Sequence, residues 1–196
     1  ARIELLDEVQ VRGVNKYSKT DYPEAPTLFF EFHGTEASVA EQAEMVGELA
    51  RAHGGSDFRW ATLPEERSRL WQARHDAYYG GFSLRAGARG YVTDVCVPIS
   101  RMAECVTATK ADIERSGLVA PIVGHVGDGN FHLVILVDPN DEDEVARAAA
   151  LNEQVVRRAL ACGGTCSGEH GVGYGKLPFL AEEHGDALAL MRTIKL

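Results

Sequence analysis

Two of the seven histidines in this 196-residue chain, His125 and His132, flank the dipeptide Asp128-Gly129. Residues 119–126 and 131–137 on either side are apolar runs, and Asp-Gly between such runs is a strong signal for an antiparallel hairpin. If Asp128-Gly129 is a two-residue turn, residue 127 pairs with 130, 126 with 131 and 125 with 132. The two imidazoles then stand opposite each other on one face, with Cβ atoms about 4.5–5.5 Å apart, close enough to converge on one ion. A lone histidine on a strand face is usually hydrogen-bonded filler. Two in register leave that reading and metal ligation equally open.

A carboxylate that could join them is Glu169, followed by His170, in the run Cys166-Ser-Gly-Glu-His-Gly-Val-Gly-Tyr-Gly-Lys176. Glycines at 168, 171, 173 and 175 permit positive φ and close approach of backbone to a ligand. The run is neither a P-loop, because Leu177 follows Lys176, nor a G-x-G-x-x-G fingerprint. Alone it reads equally well as a turn before a last helix. Two histidines and a carboxylate together are the His2Glu ligand set of a catalytic zinc site with one position open. Arg74 adds a third chemistry: it falls on the inward face of a helix between Leu70 and Tyr78, and a buried guanidinium needs an anion. That anion is either a protein carboxylate such as Asp94 or the carboxylate of a substrate.

The elements that must hold these groups alternate between strand and helix signals. Residues 27–33 read as a short aromatic strand, and Thr35 as the N-cap of a helix whose Val39, Ala43, Val46 and Ala50 share a face before Gly54-Gly55 stops it. Residues 58–61 suit a short strand. Pro64 opens a helix carrying Leu70, Arg74, Ala77 and Tyr78, ended by Gly80-Gly81. A loop over 82–90 precedes a strand over 91–97. Ser100 caps a helix with Met102, Val106, Thr109 and Ile113 inward, stopped by Gly117. After the hairpin, the acids 141–144 sit at the positive end of a helix through Val145, Ala149, Val156 and Leu160. A last helix runs from Pro178 to about Ile194. These signals predict one α+β domain, an antiparallel sheet with helices on one face, of ferredoxin-like type.

Composition narrows the function classes. The net charge of −9 argues against a nucleic-acid surface, which normally shows a basic excess. The longest uncharged stretch, residues 116–127, falls well short of the ~20 residues that span a bilayer. The start, Ala1-Arg2-Ile3-Glu4, has no apolar signal region and reads as a cut end. Cys162 and Cys166 lack the second pair a four-cysteine zinc site needs, so the four cysteines are expected to be reduced thiols.

Gly124-His-Val-Gly-Asp-Gly-Asn-Phe-His132 and Gly163-Gly-Thr-Cys-Ser-Gly-Glu-His-Gly-Val-Gly173 together resemble the C-terminal domain of FAD-linked oxidases of the vanillyl-alcohol-oxidase type. The likeness runs from about residue 11 to residue 194. Within that family, Trp71-Gln-Ala-Arg-His75 and Tyr91-Val-Thr-Asp-Val-Cys-Val-Pro-Ile-Ser100 are most similar to the cytochrome-dependent D-lactate dehydrogenases. The FAD subunit of glycolate oxidase and D-2-hydroxyglutarate dehydrogenase share the two glycine motifs. The resemblance implies a cap domain over a flavin held by a separate N-terminal FAD domain, which residues 1–196 do not include. The family's Asn-Pro-Gly-Lys element after the last helix is also absent.

The resemblance further implies that His125, His132 and Glu169 hold a divalent metal, zinc or manganese, that His170 is the general base, and that Arg74 anchors a substrate carboxylate. Asn130 falls near the reacting centre, although a turn residue tolerating positive φ explains it equally. The implied reaction is oxidation of a D-2-hydroxy acid, D-lactate to pyruvate, with electrons passing through FAD to a respiratory acceptor such as cytochrome c. A bacterial cytoplasm or a mitochondrion is the implied location, and a homodimer is compatible with it. The rival from another class is a non-catalytic metal-binding module of ferredoxin-like fold. Glu169 beside His170 separates the two, since a storage site has no use for an adjacent base.

Overall fold

The computed structural model describes residues 1–55 and 58–195. Its centre is the strand β6, Asn130–Val137, in which every residue is buried. The run Phe131-His-Leu-Val-Ile-Leu-Val137 does not alternate with polar residues, as expected of a strand covered on both faces. Beside it lie β5 (Ile122–Gly124), then β1 (Arg2–Leu6), then β2 (Thr27–Glu31) at one edge. On its other side β6 pairs with β3 (Arg89–Val92) and β4 (Val95–Cys96). Val92 lies opposite Val134 and Val95 opposite Phe131, so β3 and β4 follow one register, interrupted only at Thr93 and Asp94. Every pairing is antiparallel.

The expected α+β architecture, an antiparallel sheet with packed helices, is present. Helices cover both faces of its central strands rather than one. Phe131, Leu133, Ile135 and Val137 pack with Met102 and Cys105 of α5 (Met102–Ser116) and with Leu151, Val155 and Ala159 of α6 (Glu142–Ala161). The alternate residues Val134 and Leu136 pack with Val11 and Val14 of α1 (Glu8–Ser18), Ala73 of α3 (Pro64–His75) and Ala77 of α4 (Ala77–Phe82). The remaining helices are α2 (Glu36–Ala52), α7 (Leu180–His184) and α8 (Ala187–Lys195).

Side-chain caps open two of the expected helices. Thr35 caps α2 and Asp141 caps α6 through its Oδ1, which accepts from the Asp143 and Glu144 amides. Four readings need correction. Gly80 and Gly81 do not stop a helix; they are buried inside α4, where a Cβ on Gly80 would approach Val14 to 2.9 Å, so they serve contact with α1. Residues 58–61 join no sheet, and Trp60 is 62% exposed. Ser100 caps nothing, because Ile99–Arg101 forms a 3-10 turn ahead of α5. The last helix breaks at Gly185, whose φ of 50° an L-residue adopts only under strain.

Candidate metal centre

His125 and His132 meet, but not by the pairing their spacing suggested. Val123 lies opposite His132 and Ile122 opposite Leu133, so the connection is a five-residue loop containing a 3-10 turn, Val126–Asp128. A two-residue turn of the Asp-Gly kind needs positive φ at both central residues. Here Gly129 has φ 84° while Asp128 does not. The true register differs from the expected one by two residues. An even displacement keeps side chains on their faces, and His125 still projects over His132, with ring centroids 6.0 Å apart and planes at 88°.

Hydrogen bonding settles which nitrogens carry protons. His132 Nδ1 lies 3.1 Å from the Thr93 carbonyl oxygen, which can only accept, so Nδ1 donates and Nε2 keeps a lone pair. His125 Nδ1 lies 2.8 Å from Glu4 Oε1, and the Arg74 guanidinium, a donor only, stands 3.3 Å from His125 Nε2. Both Nε2 lone pairs therefore face Glu169 Oε1, at 3.3 Å from His125 and 3.0 Å from His132. His132 Nε2 is buried and makes no hydrogen bond. Burial also pushes the His132 pKa down, which disfavours an imidazolium there. The three ligand atoms lie within 4.8 Å of one another. The His132 lone pair faces the Glu169 carboxylate oxygen with no proton between them, Arg74 is the only donor at His125 Nε2 among the described residues, and the three atoms are a set that could hold a divalent cation.

A buried acid, Asp94, builds the loop that delivers Glu169. Its carboxylate, 1% exposed, accepts from Asn130 Nδ2 at 2.9 Å, from the His170 amide at 2.9 Å, from the Glu169 amide at 3.2 Å and from Lys176 Nζ at 2.8 Å. Burial alone would raise its pKa; the Lys176 ammonium and these amides outweigh that and hold it far below the usual carboxylate range. Gly168 passes so near that a Cβ would lie 1.7 Å from Asn130 Nδ2 and 2.6 Å from Asp94 Oδ1. Asn130 is thus not a positive-φ turn residue. It opens β6, spends its amide nitrogen on Asp94 and the Val95 carbonyl, and leaves Oδ1 buried without a partner.

His170 stacks on His132, with centroids 5.0 Å apart and planes at 14°, and its Nε2 is 3.7 Å from Glu169 Oε1. Its side chain is 52% exposed, so the centre is buried beneath His132 and open at Glu169 and His170. Arg74 reaches the same place, 16% exposed, its Nε donating to Glu4 Oε2 at 2.7 Å. Asp94 is not its partner, because Lys176 occupies that carboxylate. Glu4 and Lys176 are the site residues that sequence reasoning missed. The one available sign of Glu4 was an acid inside the apolar strand Ile3-Glu4-Leu5-Leu6. The four cysteines are free thiols; Cys162 lies beside Cys105 at 3.2 Å rather than with Cys166, and burial pushes the Cys105 and Cys166 thiols up to about 12.

The family of FAD linked oxidases, C-terminal domain, matches residues 1–196. A Danio rerio protein named probable D-lactate dehydrogenase, mitochondrial, is 52% identical over 196 residues, which is 100% of this chain and 39% of that protein. The Arabidopsis thaliana D-lactate dehydrogenase (cytochrome), mitochondrial, is 44% identical over 100% of this chain and 35% of its own length. The chain thus spans less than two-fifths of these relatives. The fold is shared with 4-ethylphenol oxidase from Gulosibacter chungangensis, solved as its isoeugenol complex, at TM-score 0.65 and 14% identity over 99% of this chain and 43% of that one. With the match running from the first residue to the last, the chain belongs to the FAD linked oxidases, as their C-terminal domain.

Proposed function

We propose that this domain binds the substrate in a flavin-dependent dehydrogenase that oxidises a D-2-hydroxy acid to the 2-oxo acid, with D-lactate as the first candidate. The observation that carries the reading is the convergence of two histidine lone pairs and Glu169 beside the Arg74 guanidinium. His125, His132 and Glu169 would hold one divalent ion, zinc or manganese, leaving a position for substrate. That ion, when bound, supplies Lewis acidity toward the substrate hydroxyl. FAD, held by residues outside this chain, supplies a hydride acceptor for the substrate Cα.

The chain's own residues do the rest. Arg74, fixed through Nε to Glu4 and through Nη2 to His125, offers Nη1 and the remaining Nη2 proton to the substrate carboxylate, the planar fork that matches such a group. His170, half-exposed next to the candidate ligand cluster, takes the hydroxyl proton, a transfer that imidazole serves more often than any other side chain. Asn130 lends its unpartnered Oδ1 to the wall of the site. The domain would dock on an FAD-binding domain of the same protein. The words "cytochrome" and "mitochondrial" in the relatives' names support a respiratory electron acceptor and a mitochondrial setting.

The test is turnover of D-lactate, glycolate and D-2-hydroxyglutarate by the full-length protein with a dye acceptor, before and after chelation and reloading with zinc or manganese. Undiminished turnover after verified metal removal would remove the metal from the mechanism. His170→Ala should retain metal and lose about 10²–10⁴-fold in turnover, the usual share of general acid–base catalysis. Glu169→Ala should lose both. Loss of the metal from His170→Ala would make His170 a ligand rather than the base.

A further inference from the structure

Glu4 is wholly buried in β1, a strand paired on both sides, against β2 and β5. Ionised groups are among the costliest to bury, and an apolar residue on this face would pack beside Leu6 without that cost. The carboxylate instead divides its oxygens between two groups of the metal centre. Oε1 takes His125 Nδ1 at 2.8 Å, and Oε2 takes Arg74 Nε at 2.7 Å. Arg2 Nε adds a second contact to Oε1 at 2.6 Å, its guanidinium lying 4.7 Å over the Trp71 ring. His125 is 121 residues away in sequence and Arg74 is 70, so no local structure requires either contact.

We propose that Glu4 is a positioning residue that sets the metal ligand and the carboxylate anchor at once. This rests on the reading of the centre given above. Through Oε1 it keeps the proton of His125 on Nδ1, so that Nε2 presents a lone pair toward His132 and Glu169. Through Oε2 it holds Arg74 by Nε, so that Nη1, without a hydrogen bond among the described residues, and the second N–H of Nη2, which stands 3.3 Å from His125 Nε2, are presented to a substrate carboxylate. One side chain thereby fixes the spacing between the group that holds a carboxylate and the group that meets the adjacent hydroxyl.

The decisive variant is Glu4→Gln in the full-length protein, nearly isosteric but with an NH2 in place of one acceptor oxygen. Three donors converge on this side chain, and an amide must turn its own donor toward at least one of them. Zinc ion titrated into the chelator-stripped protein should bind about 10–100-fold more weakly, the usual cost of losing a carboxylate behind a ligating histidine. At saturating zinc, kcat for D-lactate should recover while KM stays raised, because zinc replaces only the function of Oε1. A purely structural glutamate would not produce that split. Zinc affinity and KM both equal to wild type in a variant with an unchanged melting temperature would overturn the proposal. If Glu4→Gln does not fold, Glu4→Asp, which keeps the charge and withdraws the oxygens by one methylene, is read the same way; failure of both to fold assigns Glu4 to the fold and overturns it. Absence of zinc binding by the wild type sinks the metal reading and this inference together, whereas equal binding by wild type and Glu4→Gln, with equal KM, sinks this one alone.

Discussion

Replacing Asp94 by Asn tests whether the loop bearing Glu169 and His170 is held by charge. The carboxylate collects five donors, from Asn130, Ser167, Glu169, His170 and Lys176. An amide offers one acceptor oxygen and turns its NH2 onto the remaining donors. Hydrogen bonds to a charged group contribute about 1.5–3 kcal/mol each, and breaking a buried ion pair costs about 3–5 kcal/mol. Lys176 keeps 15% of its side chain exposed, so water screens part of that loss and about 3 kcal/mol is expected. At about 2–4 °C per kcal/mol for a domain of this size, Tm should fall by about 6–12 °C. The folded-state pKa of Asp94 is depressed, so its contribution is present above its unfolded pKa and is lost as pH falls through that value toward the folded one. Below about pH 4 the gap between wild type and variant should therefore narrow by about 1 kcal/mol per pH unit. Thermal unfolding of both chains in chelator, from pH 7 to pH 3, reads this directly. A variant within a degree of wild type at pH 7, or a gap that stays constant down to pH 3, would refute the reasoning.

Gly168→Ala should act on the same loop by volume alone. Its Cβ would meet Asn130 and Asp94 inside contact distance, so the loop must shift, with zinc affinity of the full-length protein falling more than the roughly 1–3 kcal/mol typical of overpacking would suggest for Tm. Asp7 offers a pH test away from the centre. It caps α1 through Gln10 N at 2.7 Å, yet burial pushes its pKa up to about 6, so its ionisation opposes folding increasingly from about pH 4 upward and fully above pH 6. Asp7→Asn, an equally good cap, should raise Tm at pH 7, by no more than about 3 kcal/mol in stability, and leave it unchanged at pH 4; a loss at pH 7 would show that the charge is needed for the cap. If Arg74 and the histidines are set for adjacent groups, 3-hydroxybutyrate should be turned over at least tenfold more slowly than D-lactate by the full-length protein, measured with a dye acceptor.

The helices opened by Thr35 and by the acids 141–144 and the strand over 131–137 were legible because each depends on neighbours in sequence. Asp141 and Thr35 announce their helices within three residues, and the apolar run of β6 announced a strand, although its lack of alternation also signalled the second layer of helices. The hairpin register was not legible, since Asp-Gly chooses between a two-residue turn and a longer one by tertiary contact: a Cβ at Gly129 would meet the Val97 carbonyl at 2.2 Å. His125 and His132 survived that error only because the slip was even. Gly80 and Gly81 carry no mark that distinguishes a helix stop from a helix crossing. The partners of Arg74 and Asp94 could not be assigned from spacing, because Glu4 and Lys176 reach them across 70 and 82 residues.

The distribution of charge around the centre explains why those two long-range pairs matter. Glu4 is matched by Arg74 and Arg2, and Asp94 by Lys176. Both buried acids are thus neutralised within the protein. Glu169, 48% exposed, has only histidines within ion-pair distance among the described residues. The unmatched negative charge therefore sits at Glu169, while the Arg2–Glu4–Arg74 group beside it carries one surplus positive charge. The first favours a cation and the second a carboxylate. Arg74 stands 3.3 Å from His125 Nε2, so a ligand that spans both groups carries its acid and its metal-seeking oxygen on neighbouring atoms, as the proposed 2-hydroxy acid does.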